Sequence, residues 1–442
     1  MRAGRLNDVP EIIKYVNFYI GINGILVEKL QYINIEKSIR INKYLPAAIL
    51  YFFFNSFLLP LGLLYTTILT PLLLLWLYQY RTFHKLWLFF VFIIPYAVIH
   101  FLTGVDAYYY VVSTILFFTV FVFIICFYQF LKVCLTLRTI FRKIIVINFI
   151  LVIIACFAFF IPGLKHFFWQ VSAISSGLEK LPRLKLLTYE PSFYSLLLAP
   201  IAIYYYLKII FLRIPNPALI IILVTVPLLL SFSLGILMGI PLALAILFVL
   251  NLKLFFVNKK IPQYIFLILS LALIVFLLLA ITYPDNPLFI RIFNLFEGKD
   301  SSFKGRTVDS YELAWTITSK KNLLFGVGLG QVKVEGLELW RDFYDYNFSI
   351  NEVTIPCAVA ETFAVFGLAG LFIRLGLEIY FFFRTKVYTD YYRLAIFIFI
   401  FIYQFTGSYI MNIAEYVIWI MAFHPGLFDE FSKKNILKRT IK

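Results

Sequence analysis

Charge is scarce in this chain. Of its 442 residues, 14% are Asp, Glu, Lys or Arg, while 62% are apolar and 20% aromatic. Soluble domains carry roughly 25% charged residues, so a soluble globular enzyme is excluded. Disorder is excluded as well, because it needs low hydrophobicity. Histidine and cysteine are equally sparse, at four each. Cys126, Cys134 and Cys156 lie in or beside apolar runs and Cys357 lies at the start of another. With no paired spacing, neither a disulfide framework nor a zinc site is expected. A Gly-x-Ser-x-Gly elbow and a His-rich ligand set are lacking too. Acidic residues are outnumbered 39 to 23, for a net charge of +16. In a soluble protein that excess would suggest nucleic acid. Here most cations sit between apolar runs, where a membrane protein carries its cytoplasmic charge, and no nucleic-acid partner is expected.

What the chain has in abundance is long apolar stretches. A helical span needs about 20 such residues, fewer where tight turns join short spans. Leu45 to Tyr80 carries no formal charge and is too long for one helix; Pro60-Leu61-Gly62 divides it into two. Further spans read as 86–102, 108–131, 144–161, 192–212, 217–233, 235–256, 262–282, 354–383, 393–410 and 412–427. The sequence therefore predicts an all-α polytopic membrane protein with twelve transmembrane helices. Positive charge sets the orientation. With both termini cytoplasmic, the internal segments hold 26 Lys/Arg. The external segments hold 12, all in two long loops, and the four short external turns hold none. Shifting the phase by one span breaks that pattern. Residues 1–44 form a basic cytoplasmic segment in which Ile12 to Ile33 is amphipathic and suited to the membrane surface; no cleavable signal peptide is visible. Residues 45–282 hold spans one to nine, 283–353 the large external loop, 354–427 spans ten to twelve, and 428–442 a basic cytoplasmic tail.

Two external loops have room for chemistry. The first, 162–191, contains Arg183, Lys185 and Glu190. The second, 283–353, holds 8 Lys/Arg and 10 Asp/Glu, and loops of that length are uncommon unless functional. Within it Val308, Tyr311 and Trp315 fall on one helical face, so short helices at the outer surface are expected. Arg306 begins this segment. It reads either as a solvated helix-start arginine or as a guanidinium facing phosphate, a task that suits its planar fork. Glu190 precedes Pro191 at the start of span six. It reads either as a helix cap or as a carboxylate at a cavity mouth, able to hold or deprotonate a hydroxyl.

Phe325 to Gly330 (FGVGLG) superficially resembles a nucleotide loop but lacks the strand, helix and distal acid of that fingerprint. No nucleotide or other cofactor is expected, although exposed amides of such a turn can bind anions. Glu338, Asp342 and Asp345 share a helical face with Arg341 among them, which reads as a solvated acidic surface; no metal site is expected. His100, Glu361, Arg374, Glu378, Glu415 and His424 lie in or near spans, where ionisable groups are functional candidates. Arg374 and Glu378, four apart near the cytoplasmic end, read as a local ion pair. Glu361 and Glu415 either pack protonated or line the cavity.

This order of features resembles the O-antigen polymerase/ligase family. Glu190-Pro191-Ser192 opening a span looks like an external-loop motif of repeat-unit polymerases. Arg306, Trp315 and Asn322 to Gly330 (NLLFGVGLG) resemble the family's Arg, Trp and glycine-rich signature, with Asn322 where Pro is usual. Asn351, Ala360-Glu361 and Phe366 to Gly370 resemble its final segment. The resemblance covers most of the chain in layout and only these short stretches in motif. It departs from the family at two places. Ligases usually carry a His base before the last motif, and residues 283–353 contain no His. Ser231-Phe232-Ser233-Leu234 stands where Thr-x-Ser-Arg is common, so an expected cation is missing. The resemblance implies a GT-C-like, metal-independent glycosyltransferase in the cytoplasmic (inner) membrane with its active site outside. Its substrate would be an undecaprenyl-pyrophosphate-linked oligosaccharide, extended into O-antigen, capsule or exopolysaccharide. Membrane lipids, a flippase and a chain-length regulator would be its partners. Glu190 and Arg306 would be catalytic; Arg183, Lys185, Arg291, Tyr311, Trp315, Asn351 and Glu361 would bind substrate. A ligase or protein O-oligosaccharyltransferase of the same architecture is the alternative, and a twelve-span transporter the third. Inverted repeats expected of a transporter are not seen.

Overall fold

The computed structural model describes residues 65–79, 81–133, 137–172, 181–212, 214–251 and 287–436. The first expected span, the amphipathic stretch 12–33, the span at 262–282 and Cys134 lie outside the described residues. The fold is 77% helical, which is what an apolar environment demands, since a helix satisfies its own backbone. Among the described residues, five helices are long and apolar enough to cross a membrane: Phe83–Leu102, Ala107–Lys132, Leu137–Ala158, Pro191–Phe211 and Ala358–Arg384. Five shorter apolar helices accompany them: Thr67–Gln79, Pro217–Ser231, Leu234–Leu250, Tyr391–Tyr403 and Ile413–Phe423.

In chain order the helices are α1 (Tyr65–Gln79), α2 (Trp87–Leu102), α3 (Ala107–Val133) and α4 (Leu137–Ala158). A short α5 (Pro162–Phe168) leads into strands β1 (Trp169–Ser172) and β2 (Leu181–Leu184), which pair antiparallel with Trp169 opposite Leu184. Then come α6 (Pro191–Phe211), α7 (Pro217–Ser231), α8 (Leu234–Leu250) and α9 (Pro287–Phe296). The small α10 (Ser301–Lys304) passes through a π-helical turn, Gly305–Asp309, into α11 (Ser310–Lys321). Two further short helices, α12 (Gln331–Glu335) and α13 (Leu337–Tyr344), precede α14 (Ala358–Arg384), α15 (Tyr391–Tyr403) and α16 (Ile413–Phe423). The two strands were not anticipated; at four residues each they are too short to show a period-2 pattern.

Helix α6 is buried along most of its length and forms one core with α8, α15 and α16. Small residues let these helices approach. A Cβ at Gly235 or Gly239 of α8 would meet the Tyr403 or Phe399 ring of α15 at 3.2 Å, the small-residue packing that membrane helices use.

Helix α14 is not straight. Gly367 has φ 66° and ψ −165°, a true break within its 27 residues. The glycine-rich loop fills that break. Val327 N donates to Ala364 O (2.8 Å) and Gly328 N to Val365 O (3.0 Å), while Leu368 N and Ala369 N donate to Leu323 O (3.1 Å) and Leu324 O (3.0 Å). These four bonds re-satisfy backbone groups that would each cost several kcal/mol if left bare in an apolar layer. The approach is backbone to backbone. A Cβ on Gly326 would lie 2.5 Å from the Val365 carbonyl, and one on Gly367 would lie 2.4 Å from that of Leu324.

The span expected at 393–410 is shorter than the sequence suggests. Helix α15 ends at Tyr403, and residues 404–412 form a turn region. Its carbonyls serve neighbours instead of a helix: Gln404 O accepts from Val359 N (3.2 Å), Gly407 O from Ala358 N (3.0 Å) and Phe405 O from the Tyr311 hydroxyl (3.1 Å).

Candidate functional site

The π-helical turn brings Arg306 forward. Such turns add a residue to a helix and often occur at functional sites. This one is braced: Ser310 Oγ donates to Gly305 O (2.6 Å), and buried Asp309 accepts from the Tyr344 hydroxyl (3.1 Å) and faces Lys304 Nζ at 4.0 Å. Arg306 Nη2 then lies 3.7 Å from Glu190 Oε1, with the two side chains 27% and 31% exposed. The Tyr403 hydroxyl, at the end of α15, hydrogen-bonds the same guanidinium. Burial opposes the charge of Arg306, but Glu190 and Tyr403 outweigh it and hold its pKa above the ordinary value.

Glu190 is the N-cap of α6, yet its side chain caps no backbone amide. Ser192 Oγ donates to its carboxylate instead. Its backbone is fixed by Pro191 in the first turn and by Thr188 Oγ1, which donates to Glu190 O at 3.0 Å. The carboxylate is thus aimed across the surface at Arg306.

Two more arginines face this pair. On β2, Arg183 Nε donates to Ser231 O at 3.3 Å. On α9, Arg291 Nη1 donates to Phe232 O at 3.0 Å, and its Nε pairs with Asp300 Oδ2 at 2.9 Å. Phe232 adopts φ 48° at the C-cap of α7, and Arg291 lies over its ring at 5.6 Å. Two guanidinium groups from separate elements therefore meet the Ser231 and Phe232 carbonyls. Burial, then the neighbouring Arg291, lower the Arg183 pKa to about 10. Burial likewise lowers that of Arg291, with Asp300 opposing. Three arginines against Glu190 and Asp300 leave the cluster net positive. Among the described residues Arg183 has no carboxylate ion pair.

Of the residues expected from sequence, the structure brings together Arg183, Glu190, Arg291 and Arg306. Lys185 follows β2, where its amide donates to Phe168 O at 2.9 Å and burial lowers the pKa of its ammonium. Tyr311 ties α11 to the 404–412 turn, with the Cys357 thiol 3.5 Å from its hydroxyl. Trp315 stacks on Phe363 of α14 at 6.0 Å while 56% exposed. Asn351 sits in an exposed turn outside the arginine cluster. Glu361, in the first turn of α14, accepts from Ile410 N at 2.6 Å. Sequence reasoning missed Tyr403, which ends an apolar run and looks like one more lipid-facing residue. It also missed Asp300, whose signal was an Asp-Ser-Ser helix start: Asp300 Oδ1 accepts from Phe303 N at 2.7 Å.

The glycine-rich loop is no anion cradle. Its amides at Gly326, Val327 and Gly328 are all bonded to backbone carbonyls. His100 is fully buried against the loop, with Nε2 2.8 Å from Phe325 O and Nδ1 3.2 Å from the Tyr110 hydroxyl. A carbonyl only accepts, so Nε2 carries the proton and both nitrogens are occupied. Arg374 is more than half of a local pair. It faces Glu378 at 3.3 Å, bonds Glu415, and donates to Gln404 Oε1 (2.9 Å) and Thr362 Oγ1 (3.0 Å). The break at Gly367 folds α14 so that this reach is met. Among the described residues no group of three His, Cys, Asp or Glu side chains is placed to hold a metal.

No protein-family model matches the chain, and no curated protein matches it. The fold fits the class of all-α membrane proteins, with the arginine cluster joining its connecting segments.

Proposed function

We propose that this protein is a repeat-unit polymerase of polysaccharide biosynthesis, a glycosyltransferase that moves a growing glycan from polyprenyl pyrophosphate to a lipid-linked repeat unit. The observation that carries the reading is the convergence of Arg183, Arg291 and Arg306 with Glu190 from four separate segments beside apolar helices. In this reading the chain has twelve spans with both termini cytoplasmic, and the cluster faces outward. A lipid substrate enters sideways, so a cationic site flanked by apolar helices suits a pyrophosphate on a long hydrocarbon.

In the reaction the acceptor hydroxyl oxygen bonds to the anomeric carbon of the donor. The bond from that carbon to the pyrophosphate oxygen breaks, and the pyrophosphate leaves with the electron pair. Charge grows on the leaving group, and fixed guanidinium donors stabilise it, each worth a few kcal/mol. Glu190 occupies Arg306 at ion-pair distance as the pyrophosphate would. Pyrophosphate binding exchanges that partner and frees the carboxylate to hold the acceptor hydroxyl. Tyr189, 53% exposed, and Phe193 flank Glu190 with rings 6.3 Å apart, an apolar surface next to the carboxylate for a sugar face. The hydroxyl proton passes to Glu190 or to water.

The ligase or protein O-oligosaccharyltransferase reading uses the same cluster but expects a His base in the large loop. The transporter reading draws on the break at Gly367 and the buried Arg374 network. A strain lacking this gene separates the three. Accumulation of single, unpolymerised repeat units on the lipid carrier supports a polymerase. Full-length polymer left on the carrier supports a ligase, and loss of external repeat units altogether supports a transporter.

A further inference from the structure

A second cationic site lies away from the arginine cluster, where the turn between α1 and α2 meets the ends of α3 and α16. Lys85 Nζ and Lys132 Nζ both lie close to the Tyr128 ring, at 5.6 and 4.5 Å from its centroid. The His424 ring meets the same phenol at 6.2 Å, and its Nδ1 is buried with no hydrogen-bond partner. Among the described residues no carboxylate pairs with Lys85, Lys132 or Arg81. Two ammonium groups held on one ring repel, and a shared anion relieves that repulsion. The same turn opens a cleft of about 530 Å³ lined by Tyr78, Gln79, Arg81, Phe83 and His84.

The neighbouring surface is apolar. Trp87, Leu88 and Val91 are 56%, 50% and 54% exposed along α2. An anion bound here thus meets cations at one end and a hydrocarbon-facing helix at the other. Exposed Trp and Tyr mark the depth at which headgroups sit. We propose that Lys85, Lys132 and the Arg81–His84 turn bind the phosphate of an anionic phospholipid, whose chains lie along α2. A polybasic site at a membrane surface attracts such lipids. The proposal does not depend on the enzymatic reading.

The full chain, purified in detergent, is titrated with short-chain phosphatidylglycerol, phosphatidylcholine or inorganic phosphate, and bound adducts are counted by native mass spectrometry. Phosphatidylglycerol should be retained about tenfold over phosphatidylcholine, a ratio two lysines at an anionic interface support. Lys85→Ala with Lys132→Ala should erase that preference, and Lys85→Arg with Lys132→Arg should keep it. Equal retention of the two lipids by the wild type would overturn the site. So would an unchanged preference in the double alanine variant. Displacement of phosphatidylglycerol by inorganic phosphate at equal concentration would overturn the lipid assignment in favour of a soluble anion.

Discussion

At 3.7 Å, Glu190 and Arg306 are within ion-pair distance but beyond a normal hydrogen bond. A pair this loose exchanges partners at little cost, which a substrate-loading site requires. Arg306→Ala should lower polymer formation about 10²- to 10³-fold, the loss seen when one fixed donor to a developing anion is removed. Arg306→Lys should recover little, because it keeps the charge and loses the fork; membrane insertion measured in parallel separates activity from folding. Wild-type polymer from Arg306→Ala would remove this residue from the chemistry. In the proposed reaction Glu190 holds the acceptor hydroxyl. Glu190→Gln should retain activity within about tenfold of wild type, the worth of one charge-assisted hydrogen bond, and Glu190→Ala should lose more. Near-complete loss in Gln would make proton transfer the essential role instead. Arg183, Glu190, Arg291 and Arg306 were legible in the sequence, because a charge beside an apolar run needs a reason, whereas Asp300 was not. Tyr403 was not, because a phenol ending an apolar helix carries no such signal.

The elements show where local pattern fails. Phe325 to Gly330 has the spacing of a phosphate loop, but its glycines serve close backbone approach. Gly367 sits in a run, Phe366 to Gly370, that reads as small-residue helix packing, and nothing local marks it as a break. The two features explain each other only in three dimensions, since each supplies the other's hydrogen bonds. Gly326→Ala and Gly367→Ala should each destabilise the protein by about 2 kcal/mol or more, from left-handed backbone strain and direct overlap. Thermal unfolding in detergent reads this directly. Gly163→Ala is the control, since its Cβ would meet nothing within 4 Å. An unchanged melting temperature in both loop and helix variants would contradict the docked arrangement. The same long-range bonding ends α15 at Tyr403, seven residues before the apolar pattern stops.

Over the whole molecule, the apolar helical class was legible from 62% apolar residues gathered in long runs, because a helix satisfies its own backbone within such a run. The alternation of charge between loops set the expected sidedness. Two contacts join connecting segments to one another: Arg138 bonds Glu430, and Asp106 N donates to Gln331 Oε1 at 2.9 Å. An outward-facing cluster requires residue 301 outside. With the four native cysteines removed, Ser301→Cys should react with an impermeant thiol reagent in intact spheroplasts. Reaction only after lysis would place the cluster on the wrong face for a carrier-linked glycan.

The most direct test is elongation by the purified protein. Lipid-linked repeat units from a strain lacking the gene are incubated with wild type and with Arg306→Ala, in excess EDTA because Arg183, Arg291 and Arg306 supply the positive charge. A ladder of polymer from the wild type alone is the predicted result. No ladder from folded wild type with or without added Mg²⁺ or Mn²⁺ would contradict the polymerase, and a ladder that returns only with the metal would contradict the arginine cluster as the sole neutralising charge.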